Sequence, residues 1–215
     1  VKFFGNLKFS QSENEKIFLS HNFKKFISSK NIWCGSSTHD HEEIFCGLVH
    51  KKLKKKYKNL LTVIIPRHIE RSEEIINKLK KLNLKVHTHN PTKKIDSNID
   101  IYLVNSYGKT KSFYSICKNV FLGGSIINHG GQNPLEAARY GCNVLHGPNV
   151  SNFKEIYNFL KKNKLSSQIS NENNMRNTLN KFFSKKTMTQ SIKKKLRLIG
   201  SKVLETTYEE IKLFL

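Results

Sequence analysis

Short apolar runs alternate with amphipathic segments along almost the whole chain, and this alternation limits the possible folds more than any other feature. The clearest run, residues 60–65, reads LLTVII and is closed by Pro66, which is typical of a buried strand. Strands separated by helices pair in parallel and carry helices on both faces of the sheet. The sequence therefore predicts an α/β fold, a Rossmann-like three-layer αβα domain with a mostly parallel sheet.

The alternation also predicts a domain organisation. Residues 1–9 are expected to form an extended interdomain arm, and residues 10–215 one Rossmann-like domain that ends in helices. Because the chain begins with Val1 rather than Met, we expect a piece of a longer protein. The predicted strands are residues 31–34, 60–65, 84–88, 101–104, 120–122, 143–145 and 167–169. The predicted helices are residues 13–28, 40–57, 70–82, 110–117, 135–141, 152–162, 172–184 and 189–214.

The formal net charge is +22, and lysine supplies most of it, since only five residues are arginine. Such a charge favours an anionic partner, which is a nucleic acid, a membrane surface or a phosphorylated substrate. The alternative is a compositional bias, because Asn and Ile are also abundant and the lysines are spread along the predicted helices. No apolar run of about 18 residues occurs, so no membrane-spanning helix is predicted.

Cysteine and histidine positions favour buried free thiols over a metal site. The four cysteines show no metal-ligand spacing, and the nine histidines are scattered, so neither a metal nor another cofactor is predicted. The chain lacks the P-loop, GxGxxG and nucleophile-elbow patterns. These absences argue against ATP hydrolysis, dinucleotide redox chemistry and hydrolase activity.

Two glycine pairs follow a predicted strand and form the most informative motif. Residues 123–136 read GGSIINHGGQNPLE, at the edge where parallel sheets bind ligands. Glycine lets the backbone approach an anion closely, and a helix start adds free N–H groups. Asn133 suits the N-cap and Pro134 the first helical position. A tight turn with a capped helix is the alternative, but the combination favours a phosphate or nucleotide site.

Two other strand ends carry polar groups. In the loop GSSTH, residues 35–39, the hydroxyl and N–H groups suit a ligand, although Ser37 or Thr38 could instead cap the next helix. After the second strand comes Pro66-Arg67-His68. The planar guanidinium of Arg67 suits phosphate or carboxylate in a way that lysine cannot copy. The alternative for Arg67 is a surface ion pair with Glu70 or Glu73.

Four motifs occur in an order that resembles a known family. WCGSSTHDHEE, VIIPRHIER, VFLGGSIINHGGQNPLEAARYG and LHGPNVSNF resemble the carboxyl-terminal domain of 3-deoxy-D-manno-octulosonic acid (Kdo) transferases. The similarity covers about residues 5–160, and its opening GNLKF resembles the stretch between that family's two domains. The resemblance implies a GT-B glycosyltransferase, of which this chain would be the donor half that binds CMP-Kdo.

The resemblance also implies roles for residues around the strand ends. Arg67 and His68 would face the phosphate or sugar carboxylate of the donor, and Arg67 would stabilise the leaving phosphate. Gly124 and Ser125 would line the pocket with backbone N–H groups. The residues that hold the phosphate at the helix start would be Gly130, Gly131 and Asn133. Glu136 would accept hydrogen bonds from the ribose hydroxyls. The residues that border the cleft would be Ser37, Thr38 and His39.

The family further implies partners and a location. A missing amino-terminal half would bind the lipid A precursor and supply the catalytic base, so this chain alone would transfer no Kdo. The enzyme would act in lipopolysaccharide biosynthesis at the cytoplasmic face of the bacterial inner membrane, where the positive charge could dock on anionic lipid. Two alternatives remain at this point, the donor domain of a GT-B transferase that uses a UDP-sugar and a basic nucleic-acid-binding module.

Overall fold

A single seven-stranded parallel sheet organises the computed structural model, which describes residues 19–90, 94–184 and 189–212. The strand order is β3-β4-β2-β1-β5-β6-β7, and every neighbouring pair is parallel. The predicted arm, residues 1–9, lies outside the described residues. The strands are β1 (Asn31–Thr38), β2 (Leu60–Pro66), β3 (Val86–Thr88), β4 (Ile101–Leu103), β5 (Asn119–Leu122), β6 (Asn143–His146) and β7 (Ser166–Gln168).

Helices connect these strands, and seven of the described helices keep the bounds expected from the sequence to within three residues. The first helix, expected over residues 13–28, begins only at His21, and residues 13–18 lie outside the described part of the chain. Several begin with acidic side chains and end with lysines, as in α3, which opens with Glu73 and Glu74 and closes with Lys80 and Lys81. This polarity matches the helix dipole. The helices are α1 (His21–Ile27), α2 (Glu42–Lys54), α3 (Ser72–Lys81), α4 (Thr110–Tyr114), α5 (Leu135–Arg139), α6 (Lys154–Lys162), α7 (Glu172–Ser184) and α8 (Thr189–Lys212).

Two apolar layers pack against the two faces of the sheet. Successive strand residues point to opposite faces, so Trp33 belongs to one layer and Cys34 to the other. The pattern repeats in β2, where Val63 and Ile64 separate in the same way. A sheet buried on both faces between helical layers confirms the predicted three-layer αβα fold. The four cysteines are buried and unpaired, as expected.

A buried polar chain links α2 to the centre of the sheet. His50 is fully buried; its Nδ1 lies 2.8 Å from Thr62 Oγ1 and its Nε2 lies 3.3 Å from Asp100 Oδ1. Although burial alone would raise the pKa of Asp100, hydrogen bonds from His50, Lys54 and the backbone of Lys85 lower it below its ordinary value. Because Thr62 has no exposed surface, this triad holds elements together and offers no reactive hydroxyl to solvent.

Candidate functional site

The strand order creates a crevice between β1 and β5. On one side of β1 the sheet contains β2, β4 and β3, in that spatial order, and on the other side it contains β5, β6 and β7. The chain completes the first side before it returns past β1 to form the second. The loops that leave β1 and β5 therefore diverge at the carboxyl edge of the sheet. In open α/β sheets this point is where ligands bind. Residues 123–136, the most informative motif of the sequence, lie at this point.

A cavity of about 650 Å³ opens at this edge and collects predicted residues from three separate segments. Ser37 comes from the end of β1, Arg67 follows β2, and Asn133 and Glu136 flank the start of α5. The sequence placed all four in one site, and the structure brings them together. The cavity lining contains three cationic side chains and one carboxylate, that of Glu136; the cations are Arg67, Lys111 and Arg139. This excess of positive charge suits an anionic ligand.

The end of β1 is distorted so that Ser37 lines this cavity. The pairing with β2 shifts register between Ser36 and Thr38, and Ser37 adopts a φ of 52°, a left-handed conformation that is uncommon for a residue other than glycine. Bulges of this kind redirect side chains and occur beside active sites. Thr38 turns inward and is fully buried, so of the two hydroxyl residues predicted here only Ser37 reaches the cavity.

A carboxylate from α2 occupies the backbone donors of the loop after β5. Glu42 is fully buried, and its Oε2 accepts hydrogen bonds from the N–H groups of Gly124, at 2.7 Å, and His39, at 3.0 Å. Its Oε1 accepts from Ser125 and Ile126, each at 3.0 Å. The prediction that the N–H groups of Gly124 and Ser125 line the donor pocket is therefore wrong, because both are already donated inside the protein.

The hydroxyl of Ser125 is committed as well. It donates to the carbonyl of Leu122 and accepts the N–H of Gly147, at 2.5 and 2.8 Å. The ties fix the loop after β5 against β6. Ser125 is fully buried, so its polar groups stabilise the loop below the crevice and are not available to a ligand.

The second glycine pair shapes the loop without lining the cavity. Gly130 and Gly131 adopt φ values of 87° and 77°, the N–H of Gly131 donates to the carbonyl of Gly124 at 2.8 Å, and neither residue belongs to the cavity lining. Gly131 therefore folds the loop back on itself, and the assignment of the phosphate to this glycine pair stays a prediction. The helix begins one residue later than expected, because Pro134 rather than Asn133 is the N-cap of α5. The side-chain Oδ1 of Asn133 still accepts the N–H of Leu135, at 3.1 Å.

Arg67 reaches the cavity because its backbone N–H pairs with the carbonyl of Thr38 at 2.9 Å. Among the described residues no ion pair joins Arg67 to Glu70 or Glu73, and Glu70 instead contacts His68 at 3.1 Å. The surface ion pair belongs to Arg71, which contacts Asp40, Glu43 and Glu74 and clamps the starts of α2 and α3. The guanidinium of Arg67 is exposed and stays available to a ligand.

Three histidine rings pack against one another beside the cavity, in tilted and edge-to-face arrangements. The ring of His39 lies 4.2 Å from that of His129 and 5.7 Å from that of His68. Burial, together with these two rings and with Arg67 and Arg71, lowers the pKa of His39 to about 4, so its imidazole is neutral near pH 7. Neither His39 nor His68 belongs to the cavity lining; both lie at its border.

Sequence reasoning missed part of the lining, namely Thr110, Lys111, Tyr114, Gln132 and Arg139. Arg139 carried a usable signal, because it lies three residues after Glu136 and therefore on the same helical face. Lys111 lies in the first turn of α4, a helix that the sequence did not connect with the site. Gln132 depends on tertiary structure, since its side-chain Nε2 lies 3.3 Å from Nε2 of His39.

A second cavity, also about 650 Å³, lies beside α1 and the β3–β4 side of the sheet. Its wall contains Phe23, Phe26, Tyr102 and Phe113, with His89 and Lys109 among the polar lining. None of the predicted donor residues contributes to it. We therefore place the candidate site in the first cavity. Within the described residues, no cluster of three or more His, Cys, Asp or Glu side chains could hold a metal ion, and no helix has the length and apolar character needed to cross a bilayer.

Comparisons with known proteins identify relatives of this chain, although no family model matches it. It is 31% identical over 158 residues to a 3-deoxy-D-manno-octulosonic acid transferase of Haemophilus influenzae, an alignment of 73% of this chain and 37% of that protein. It is 30% identical over 226 residues to the enzyme of the same name from Rickettsia prowazekii, covering 98% of this chain and 47% of that protein. The chain thus spans less than half the length of these relatives.

A solved structure shares the fold. The C-terminal CMP-Kdo binding domain of WaaA from Acinetobacter baumannii matches with a TM-score of 0.73 and 22% identity, covering 85% of this chain and 93% of that domain. The seven-stranded sheet and its crevice are those of a Rossmann-like GT-B domain. Given the relatives in two bacterial genera and this shared fold, the chain belongs to the Kdo transferase family and corresponds to its carboxyl-terminal domain.

The low pKa of His39 predicts acid sensitivity. The ordinary pKa of histidine, 6.5, applies in the unfolded chain, against about 4 in the folded protein. Below pH 6.5 the unfolded state therefore binds the proton first, and stability is lost as the pH falls towards 4. From pH 7 to pH 5, His39 should remove about 1–2 kcal/mol from the free energy of unfolding, measurable by urea denaturation.

The variant His39→Gln should show a smaller loss between the two pH values, whereas His21→Gln, which changes an exposed side chain on α1, should behave like the wild type. An identical pH dependence in His39→Gln and the wild type would show that His39 is not the group responsible.

Proposed function

We propose that this chain is the donor-binding domain of a Kdo transferase and that CMP-Kdo binds in the cavity between the ends of β1 and β5. The observation that carries the proposal is that Arg67 and the Asn133–Glu136 segment line one cavity at the switch point of the sheet. Nothing local in the sequence requires these segments to meet. Their convergence, in a chain whose relatives are named Kdo transferases, favours a phosphate between them.

The charges of the cavity suit the two ends of a nucleotide. Arg67 offers a planar pair of donors for the phosphate, and Lys111 and Arg139 add positive charge nearby. Glu136 supplies an acceptor that a phosphate would avoid but that ribose hydroxyls can use. We assign the CMP phosphate to Arg67 and Asn133 and the ribose to Glu136. Ser37 borders the sugar, with His39 and His68 beyond it.

The proposed reaction is a displacement at the anomeric carbon of Kdo. A base removes the proton of the acceptor hydroxyl, the hydroxyl oxygen bonds to the anomeric carbon, and the carbon–oxygen bond to phosphate breaks. CMP leaves with the additional negative charge, and Arg67 stabilises that charge as it develops. No metal or cofactor is required by this scheme.

The remaining parts of the function concern the longer protein. We propose that an amino-terminal half binds a lipid A precursor and provides the base, so that lipopolysaccharide receives its Kdo at the cytoplasmic face of the inner membrane. Residues 1–215 alone would then bind CMP and transfer nothing. Transfer of Kdo to a lipid acceptor by this chain alone would contradict the division of roles.

Calorimetric titration with nucleotides separates this proposal from its alternatives. We expect CMP to bind and UMP and UDP to bind more weakly, with no strong binding of single- or double-stranded oligonucleotides at physiological salt. Preference for UDP would indicate a UDP-sugar transferase. Tight, salt-sensitive binding of oligonucleotides without any binding of CMP would indicate a nucleic-acid-binding module.

Replacing Arg67 tests the assigned phosphate contact. Arg67→Ala removes a charge-assisted hydrogen bond worth about 1.5–3 kcal/mol, so the dissociation constant for CMP should rise about 10- to 100-fold. Cytidine, which has no phosphate, should lose little affinity. The control is Arg176→Ala, which removes the same charge from a half-buried position on α7, outside the cavity. Equal effects of the two changes would refute the contact.

The net charge of +22 predicts a peripheral attachment to anionic lipid. Co-sedimentation with vesicles that contain phosphatidylglycerol should be strong at low ionic strength and should disappear at high salt, because surface charges are screened. Vesicles of phosphatidylcholine alone are the control. If anionic vesicles fail to bind the chain even at low salt, the charge reflects composition rather than a membrane partner.

A further inference from the structure

Glu42 is surrounded by more hydrogen-bond donors than its place in the first turn of a helix requires. The side chain of an acidic residue there usually faces solvent and interacts with the helix dipole. Here it is fully buried and accepts N–H groups from four residues, three of them consecutive, Gly124, Ser125 and Ile126. Burying a carboxylate is costly unless hydrogen bonds compensate for the lost water. This site supplies those bonds almost entirely from backbone.

The three consecutive donors have the geometry of an anion-binding nest. The φ of 65° at Gly124 turns the chain so that successive N–H groups converge, and concavities of this kind bind anions in many proteins. Gly123 permits the approach, because a Cβ on that residue would lie 2.7 Å from Oε2 of Glu42 and 2.3 Å from the carbonyl oxygen of Ser37. The crevice thus contains an anion site that the protein fills with its own side chain.

This carboxylate joins the two loops that carry opposite walls of the candidate donor cavity. On the β1 side it holds the backbone of His39, two residues after Ser37. On the β5 side it holds residues 124–126, and Gly124 in turn accepts the N–H of Gly131, next to the lining residue Gln132. His39 contacts Gln132 as well. Each path from Glu42 to the cavity therefore passes through one or two hydrogen bonds.

We propose that Glu42 is a positioning residue for donor binding, an internal anion that fixes the separation between Ser37 on one wall and Gln132 and Asn133 on the other. It touches no donor atom itself. The expected effect on CMP affinity rests on the proposed function. The requirement of the nest for a carboxylate does not rest on it. A carboxylate supplied from solution should therefore replace the missing side chain.

The test is chemical rescue of Glu42→Ala with formate. The variant should bind CMP about tenfold more weakly or worse, because four backbone N–H groups lose their acceptor and the loops they belong to are no longer held together. Sodium formate should restore a large part of the affinity, and sodium chloride at the same ionic strength should not. Asn133→Ala is the matched control, since it weakens CMP binding by loss of a lining side chain and should gain nothing from formate.

Amide hydrogen exchange provides a readout that needs no nucleotide. In Glu42→Ala the N–H groups of residues 124–126 should exchange faster than in the wild type, and formate should protect them again. If Glu42→Ala does not fold, Glu42→Gln, which keeps the volume, takes its place and is compared with the wild type without formate. Its side-chain NH2 group faces N–H donors in place of an acceptor, so CMP binding should weaken and residues 124–126 should exchange faster; wild-type affinity and wild-type exchange in this variant would overturn the inference. Unchanged CMP affinity and unchanged exchange in Glu42→Ala would overturn the inference.

The two proposals fail separately. A wild-type chain that does not bind CMP would contradict the proposed function and leave the exchange measurement to decide on Glu42. A variant with weakened CMP binding and fast exchange, neither of which responds to formate, would contradict the positioning role while leaving the donor assignment intact.

Discussion

The carboxylate of Glu42 is the interaction on which the rest of the candidate site depends. A parallel sheet that reverses its direction of growth leaves two diverging loops at the switch point, and something must hold them at a fixed separation. Here one buried side chain does so through backbone N–H groups from both loops. The bulge at Ser37, the absence of a side chain at Gly123 and the fold of the second glycine pair all accommodate this contact.

The arrangement also explains why the guanidinium of Arg67 remains available to a ligand. Internal carboxylates near the crevice already have partners, Glu42 with backbone donors and Glu43 with Arg71. Burial keeps His39 uncharged at neutral pH, so it can pack against His129 without repulsion. Arg67 consequently faces an anion-sized space. The carboxylates of Glu42 and Glu43 are thus bound inside the protein, whereas the guanidinium of Arg67 faces the cavity.

Much of the fold was predictable because each local signal was consistent with the others. The LLTVII run and the acidic and basic helix ends gave the correct elements near their observed bounds, and the Asn133-Pro134 pair indicated the start of α5 to within one residue. The bulge at Ser37 was not predictable, since a register shift depends on how β1 pairs with β2 and β5 and not on its own residues. The arm at residues 1–9 stays a prediction, as it lies outside the described residues.

The convergence of the candidate site residues at one edge of the sheet was predictable, but their contacts were less so. Arg67 and Glu136 stood out by residue type and by their places at a strand end and a helix start. By contrast, the N–H groups of Gly124 and Ser125 were assigned to the ligand although both bind Glu42, because only the tertiary structure reveals that Glu42 reaches across from another helix. Residue types indicate which groups can bind an anion; the fold determines whether that anion is a substrate or a side chain.

A crystal structure of this chain with CMP tests the central claim most directly. The account predicts the nucleotide in the cavity at the ends of β1 and β5, with a phosphate oxygen about 2.7–2.9 Å from the guanidinium of Arg67 and the ribose hydroxyls towards Glu136. A nucleotide bound instead in the aromatic cavity beside Phe23 and Tyr102, or one whose phosphate leaves Arg67 without contact, would contradict it.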